Sequence, residues 1–340
     1  MNIEIITTPN DELKESGFGS LKACKNVLSS IKKMNHNVQL TICESITDLK
    51  NIVNRKPDLV LLAVKYIPLY LPGTIKIENL WLAEYFSQHN INFSGSYRDV
   101  LDYDSNKVLA KVHLSNKGIS TAKYFLATPG QYNSDNELPI SFPLFIKPLD
   151  AANGNGIDDS SYVTDFEGYQ NKVASIYQSF NQPALVEEYL DGREFTVAIF
   201  KPANKALITS AVEIIPPTSS HGLRILGSQT KTDDSESLIK IVDEDVKKRV
   251  VTLAIDAFYT LGARDYGRID IKTNNRGECF FMEANLVPGM TLGSSYFPEA
   301  CNIAHAFDYD TVIELLLAGG LARASKTTPP YLRPDSLEYA

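Results

Sequence analysis

At 340 residues the chain is longer than one hydrophobic core usually covers, so two or three domains are expected. A hydrophobic share of 44% and a charged share of 22% are ordinary for a soluble globular protein. The formal net charge of -8 argues against a general binder of nucleic acid or membrane surfaces, and leaves room for a local basic pocket. The N-terminal "MNIEIITTPN" reads as a strand start without the apolar core of a signal peptide. No apolar run approaches the ~18 residues of a membrane span. Cys24, Cys43, Cys279 and Cys301 show no CxxC spacing, and three of them sit in apolar patterns, so reduced core residues and a cytoplasmic setting are expected.

Three short β-branched strands come first: "NIEIIT", "NVQLTI" and "DLVLLAV". Between the first two, Leu21, Cys24, Val27, Leu28 and Ile31 recur at helical spacing. Strand, helix and strand in succession imply a parallel βαβ layer. "NLWLAEYFSQHN" reads as a helix and "INFSGS" as a strand end with a turn. "SNKVLAKVHLSNKG" is helical and stops at Gly118. "FPLFIKPL" is a buried strand, followed by the small-residue loop "DAANGNGIDDSS", the helix "VTDFEGYQNKVASIYQSF" and the strand "PALVEEYL". "REFTVAIF" and "KALITSAVEII" are good strands. The polar stretch "PPTSSHGLRILGSQTKTDDSES" is long for a compact domain and marks a functional loop or a poorly ordered one. "DEDVKKRVVTLAIDAFYTLG" is an amphipathic helix with acids in its first turn. Two strand-like runs around a turn, "RIDIKTNNRGECFFMEANL", precede a Gly/Ser loop and a helix around "TVIELLLAGGLA"; the proline-rich tail reads as extended.

The hairpin carries an unusual set of side chains. Alternation puts Arg268 and Asp270 on one face, and Phe281, Glu283 and Asn285 on one face of the second strand. A tight turn through residues 274–277 would bring both sets to the same side, with cross-strand neighbours ~5 Å apart. Two carboxylates that close repel unless one protonates or a hard cation such as Mg²⁺ joins them. Alternation alone equally admits a solvent-exposed polar face. Lys147, inside "LFIKPL", is out of place because an ammonium is rarely buried without a partner. It precedes a loop with Gly154 and Gly156, whose N–H groups would suit phosphate; a snorkelling lysine beside a plain turn is the other reading. No GxxxxGK[ST] occurs, and "GNGIDD" lacks the third glycine of a dinucleotide fingerprint. In "LVEEYLDGREFTV", Glu187 and Glu188 end a strand and Glu194 follows a turn, which would frame a flat ring and offer a carboxylate to a ribose. "VPGMTLGSSYFPEA" has the N–H groups and hydroxyls to hold a carboxylate, or is a plain connector. "SSIK" at 29–32 and "SDN" at 134–136 match two serine-hydrolase elements, but "KTD" at 231–233 fails the third.

In order, "FIKPL", the small-residue loop, "VEEYLDGREFTV", "GRIDI" and "FFMEANLVPGMT" resemble the ATP-grasp superfamily, most closely its D-alanine–D-alanine ligase branch, from about residue 92 to 298. The resemblance implies an α/β (α+β) ATP-grasp fold. Its parts would be an N-terminal parallel βαβ domain (1–101), a central lid domain (102–190), a C-terminal α+β catalytic domain (191–325) and an extended tail (326–340). It implies ATP, two Mg²⁺ (with Mn²⁺ as a substitute) and amino-acid substrates, no nucleic-acid or membrane partner, and a homodimer. Lys107 and Lys147 would contact phosphates, with Asn153 and Gly154 in the covering loop. Glu187 would accept the adenine amino group, Tyr189 and Leu190 would lie in the hinge, Glu194 would bind ribose, and Met282 would pack on adenine. Asp270, Glu283 and Asn285 would hold the metal ions. Arg268 would steady the reacting acyl phosphate, and Gly289 and Ser294 would bind the second substrate's carboxylate. The implied activity is ligation of two amino acids through an acyl phosphate. A ligase of specialised metabolism with other substrates and a silent nucleotide-binding regulator are the alternatives.

This chain departs from that pattern in three places. Asn153 stands where the family has a serine. Lys231 is the candidate lid lysine, without the adjacent aromatic. The N-terminal glutamate that orients the first amino group has only Glu12 and Glu15 as candidates.

Overall fold

The computed structural model describes residues 1–11, 13, 17–70, 77–150, 154–203, 205–218, 222–233 and 235–325. Glu12, Glu15, Asn153, His221 and the tail 326–340 lie outside the described residues.

The expected parallel layer is present. β1 (Asn2–Thr7) lies between β2 (Asn37–Ile42) and β3 (Leu59–Leu62), parallel to both. The connecting helices α1 (Leu21–Lys33) and α2 (Ile46–Arg55) start at serines, Ser20 and Ser45, whose hydroxyls accept backbone N–H groups left unpaired in the first turn. Ser45 and Asp48 complete a reciprocal capping box.

The next segment differs from expectation. Asn79–Trp81 do not open a helix. They belong to β5 (Ile77–Trp81), which pairs antiparallel with β4 (Tyr66–Tyr70), and α3 begins only at Leu82 (Leu82–Gln88). A helical apolar pattern continued two residues too far because Leu80 and Trp81 pack equally well on a hairpin, where Trp81 pairs with Tyr66.

α4 (Arg98–Ser105) and α5 (Lys107–Ser115) are split at Asn106. Its extended backbone (φ -133°, ψ 100°) ends one helix, and its side chain accepts Leu109 N–H to start the next. Lys107 is therefore the first residue of a helix, a cation at the positive end of the dipole. That placement is unfavourable unless anions gather there.

Two antiparallel sheets follow. The first has the order β6-β9-β7-β8, from β6 (Tyr124–Ala127), β7 (Leu144–Pro148), β8 (Tyr162–Val163) and β9 (Ala184–Glu188), and α6 (Phe166–Phe180) packs on it. β6 was not read from the sequence. The second has the order β12-β11-β10-β13-β14, from β10 (Glu194–Phe200), β11 (Ile208–Ile215), β12 (Ser237–Lys240), β13 (Tyr266–Thr273) and β14 (Cys279–Asn285). β12 emerges from the end of the polar stretch, whose short α7 (Ser228–Thr232) is also regular structure. α8 (Glu244–Thr260) and α9 (Tyr296–His305) pack on this sheet, and α10 (Tyr309–Ala324) packs on α9, α1 and β3.

The buried side chains form two separate cores. The N-terminal layer and the five-stranded sheet share one, from Ile5 and Leu61 to Phe195, Ile271 and Phe281. Each fully buried aliphatic or aromatic side chain there contributes ~1.5–3 kcal/mol. The four-stranded sheet and α6 have their own, around Leu144, Ile146, Val173 and Val186. None of the four cysteines forms a disulfide; three are buried and Cys279 partly so. Among the described residues no helix is long and apolar enough to cross a membrane.

Candidate active site

β13 and β14 pair so that Arg268 faces Asn285 and Asp270 faces Glu283, which brings the predicted set together. One part of the alternation fails. The register shifts after Asp270, so Ile271 pairs with Phe281 and Met282 is the extra residue of a β-bulge. Phe281 therefore does not share the face of Glu283. It follows Ile271 into the core, fully buried, while Met282 and Glu283 both line the cleft. The bulge lets an apolar wall and an acid occupy consecutive positions on the working side of one strand.

The Asp270 carboxylate is held from three sides. Thr196 donates at 2.6 Å, Arg268 donates through Nε and Nη2, both at 3.0 Å, and Asn285 donates through Nδ2 at 3.2 Å. Burial disfavours the Arg268 charge, but the carboxylate beside it raises its pKa. Glu283 is half-buried, with Lys107 Nζ at 3.6 Å. Burial would push its carboxyl up, yet Lys107, Lys231, Lys147 and Arg268 hold it well below the usual carboxylate range. Glu283 thus stands ionised opposite Asp270. Two carboxylates and an amide are hard oxygen donors of the kind Mg²⁺ takes, so the residues fit a divalent cation. Among the described residues no group of three His, Cys, Asp or Glu side chains could hold an ion; the hairpin reaches three donors by counting Asn285.

Lys147 has the partner its burial demands. Glu187 accepts ion pairs from Lys147 at 2.6 Å and from Lys111 at 2.7 Å, and all three are buried. Burial opposes the charge on Glu187, but the two ammonium groups bring its pKa down to about 2. Lys111 is pushed down by burial, against the pull of Glu187. Lys111 was missed in the sequence. The available signal was its i,i+4 spacing from Lys107, which puts both on one face of α5. With both oxygens engaged, Glu187 fixes two cations in addition to lining the cleft.

The cleft between the two antiparallel sheets has a volume of about 850 Å³, counting the solvent at its mouth. Glu188, Tyr189 and Leu190 line it where β9 passes into β10, and the Tyr189 ring rests on Tyr162 at 4.6 Å. Glu194 lines it too, with Lys272 at 3.1 Å; this lysine was also not anticipated. Burial works against the Lys272 charge, and Glu194 raises its pKa.

The small-residue loop and the polar stretch before β12 touch beside this space among the described residues. Gly154, at φ +70°, packs its backbone on Gly227: an added Cβ would come within 3.0 Å of the Gly227 carbonyl carbon. Ser228 N–H donates to the Ile157 carbonyl at 3.3 Å. α7 thereby brings Lys231 to the cleft.

A second, wider cavity of about 2060 Å³ adjoins the first. Lys107, Lys231 and Glu283 line both. Its walls include Arg268, Asn285, Gly289 and Ser294 as anticipated, and Lys65, Tyr66, Trp81 and Asp104 from the N-terminal third, which were not. In the connector after β14, Ser295 is tied into a turn by accepting Thr291 N–H at 2.8 Å, while Ser294 lines the cavity. Lys65 pairs with Asp104 at 2.6 Å, and Asp104 accepts Leu286 N–H at 2.6 Å, fastening the chain just beyond Asn285. Tyr296 donates to Glu236, and the Arg268 guanidinium lies 5.3 Å from the centre of the Tyr296 ring.

Comparison with known proteins gives this geometry a class. Of solved structures, D-alanine–D-alanine ligase from Bacillus anthracis superposes with a TM-score of 0.72 at 19% identity, covering 96% of this chain and 100% of that one. The Coxiella burnetii ligase gives 0.66 at 16%, covering 96% and 95%. The fold is ATP-grasp. The profile of the family described as "D-ala D-ala ligase C-terminus" matches residues 114–318, more than half of the chain, and the chain belongs to that family. Curated relatives include D-alanine–D-alanine ligase A of Mesorhizobium japonicum, 29% identical over 224 residues, covering 64% of this chain and 60% of that protein. The ligase of a Marinomonas species is 29% identical over 211 residues, covering 62% and 63%. The matched segment thus spans about three fifths of these relatives.

Proposed function

We propose that this protein is an ATP-dependent carboxylate–amine ligase that joins two amino acids, D-alanine foremost, and releases ADP and phosphate. One observation carries the reading: two cavities of different character meet at Lys107, Lys231 and Glu283. The enclosed cleft has the hinge, apolar walls and buried cations that suit a nucleotide. The wider cavity has Arg268 and the Gly289–Ser294 connector that suit amino acids. The junction is where a phosphoryl group would pass from one to the other. The names of the curated relatives support the same reading. The proposed division is 1–101, 102–190 and 191–325, the middle part closing as a lid.

In this reading Lys107, Lys147 and Lys231 bind phosphate oxygens, and Met282 and Leu190 flank the base. Glu187 holds Lys147 in place through its ion pair. Divalent cations bound by Asp270, Glu283 and Asn285 would offset charge on the phosphates. A carboxylate oxygen of the first amino acid forms a bond to the γ-phosphorus as the bond to ADP breaks. An amine then attacks the acyl carbon, and the phosphate leaves. Arg268 lies where negative charge collects on the acyl oxygen, and preorganised donors of this kind are the main source of rate. The touching lids exclude water that would hydrolyse the intermediate.

The test is phosphate release from ATP across a panel of amino acids, with mass spectrometry of the product. Release that depends on amino acid, with a matching amide, supports the reading; ATP turnover indifferent to amino acids defeats it.

A further inference from the structure

The second half of such a reaction needs something the residues named so far do not supply. An amino acid enters as an ammonium ion, and its nitrogen cannot attack until it loses a proton. Arg268, Lys107 and Lys231 are cations and are unsuited to receive one. Asp270 is occupied by four donor atoms. Glu283 lines both spaces and is engaged by Lys107 at 3.6 Å.

Glu236 is placed differently. It follows the lid helix α7, at the approach to β12, and it lines the wide cavity. One carboxylate oxygen, Oε1, accepts the Tyr296 hydroxyl. The other, Oε2, is buried and has no hydrogen-bond partner among the described residues. A buried carboxylate oxygen left unpaired costs several times what a satisfied one does, so it is a place where a donor is wanted. Tyr296 is two residues from Ser294, the cavity-lining hydroxyl of the connector, and its ring lies under the Arg268 guanidinium. Ser294, Glu236 and Arg268 thus line the same cavity.

We propose that Glu236, oriented by Tyr296, binds the ammonium group of the second amino acid and receives its proton during the attack. This rests on the ligase reading above. One ammonium proton passes to Oε2, freeing the nitrogen lone pair; as the nitrogen–carbon bond forms and the carbon–oxygen bond to phosphate breaks, the phosphate leaves with the bonding pair and takes up the second proton that the nitrogen sheds. Burial, and then the hydrogen bond to Glu236, push the Tyr296 hydroxyl far above its usual pKa, so it stays a donor and holds the carboxylate in one orientation.

The test compares two nucleophiles on the full-length protein with ATP, Mg²⁺ and the first amino acid. Hydroxylamine is largely unprotonated at neutral pH and traps an acyl phosphate as a hydroxamate without needing a base. Glu236→Gln is expected to lower amide formation by about 10²-fold or more, the usual effect of losing a general base, while keeping hydroxamate formation within about threefold. Tyr296→Phe should lower amide formation by about tenfold, again sparing hydroxamate. Amide formation retained in Glu236→Gln overturns the inference. An equal fall in both products also overturns it, because that marks a structural role. A wild-type protein that yields neither amide nor hydroxamate overturns the ligase reading as well, and so separates that failure from the other two.

Discussion

The nucleotide-sized cleft and the wider cavity beside it are built from different material. The cleft's chemistry stands on regular elements: Lys147 on β7, Glu187 on β9, Glu194 on β10, Asp270 and Lys272 on β13, Glu283 on β14. Its charges are paired in place, Glu187 with two lysines, Glu194 with Lys272, Asp270 with Arg268. Beside Arg268, Glu283 and Asn285 of the β13–β14 hairpin, the cavity's wall is assembled from the hairpin β4–β5, the α4–α5 junction, the residues after α7 and the connector after β14. Strands fix side chains to a fraction of an ångström because each is held by neighbours on both sides, whereas connectors are free to vary. On the proposed reading, the difference separates a fixed phosphate-handling device from a substrate chamber that can be retailored.

Changes in the device should therefore be far more damaging than changes in the chamber wall. The largest effect is expected for Glu283→Gln. It removes a charge at the junction of the two spaces and should lower amino-acid-dependent phosphate release on the order of 10³-fold with little change in thermal stability. Lys147→Ala should follow, with a loss on the order of 10²-fold in kcat, read in the same assay. Lys111→Met acts one layer deeper. It leaves Glu187 buried with a single cation, and should cost about 3 kcal/mol in denaturant unfolding.

The same variant sharpens a pH prediction. Glu187 has its pKa depressed from 4.5 to about 2 in the folded protein. Its contribution to stability is then fully present above the unfolded value, and is lost as pH falls through the folded one. Unfolding free energies measured across that window should decline less steeply in Lys111→Met than in the wild type. The smallest effect belongs to the chamber. Tyr66→Ala should change KM for an amino acid by about tenfold and leave KM for ATP unchanged. An equal effect on both would mean that the two spaces are not separable.

The boundary between what the residues announced and what they concealed follows the same division. Asp270, Glu283 and Asn285 were legible because strand alternation is local and period two, and because like charges that close require an explanation. The bulge at Met282 was not legible. One residue inserted in one strand leaves the pattern on either side intact, and only the pairing with Ile271 shows that Phe281 has turned inward. Lys111 lay hidden because a lysine in an amphipathic helix is ordinarily read as solvated, and its burial depends on a glutamate 76 positions later coming to meet it. Lys65 and Asp104 were invisible for the same reason: each is unremarkable alone, and their pairing is a product of the fold. The helix misplaced at Asn79–Trp81 shows the limit from the other side, since a hairpin and a helix bury Leu80 and Trp81 equally well and only tertiary contact decides.

The central claim is that the acids of the β13–β14 hairpin couple nucleotide cleavage to amide synthesis. The most direct measurement follows ADP and amide product together, from ATP, Mg²⁺ and the preferred pair of amino acids, in the wild type and in Glu283→Gln. The account predicts ADP and amide in equal amounts in the wild type, and the loss of both in the variant. ADP formed without amide, or a variant that turns over like the wild type, would contradict it.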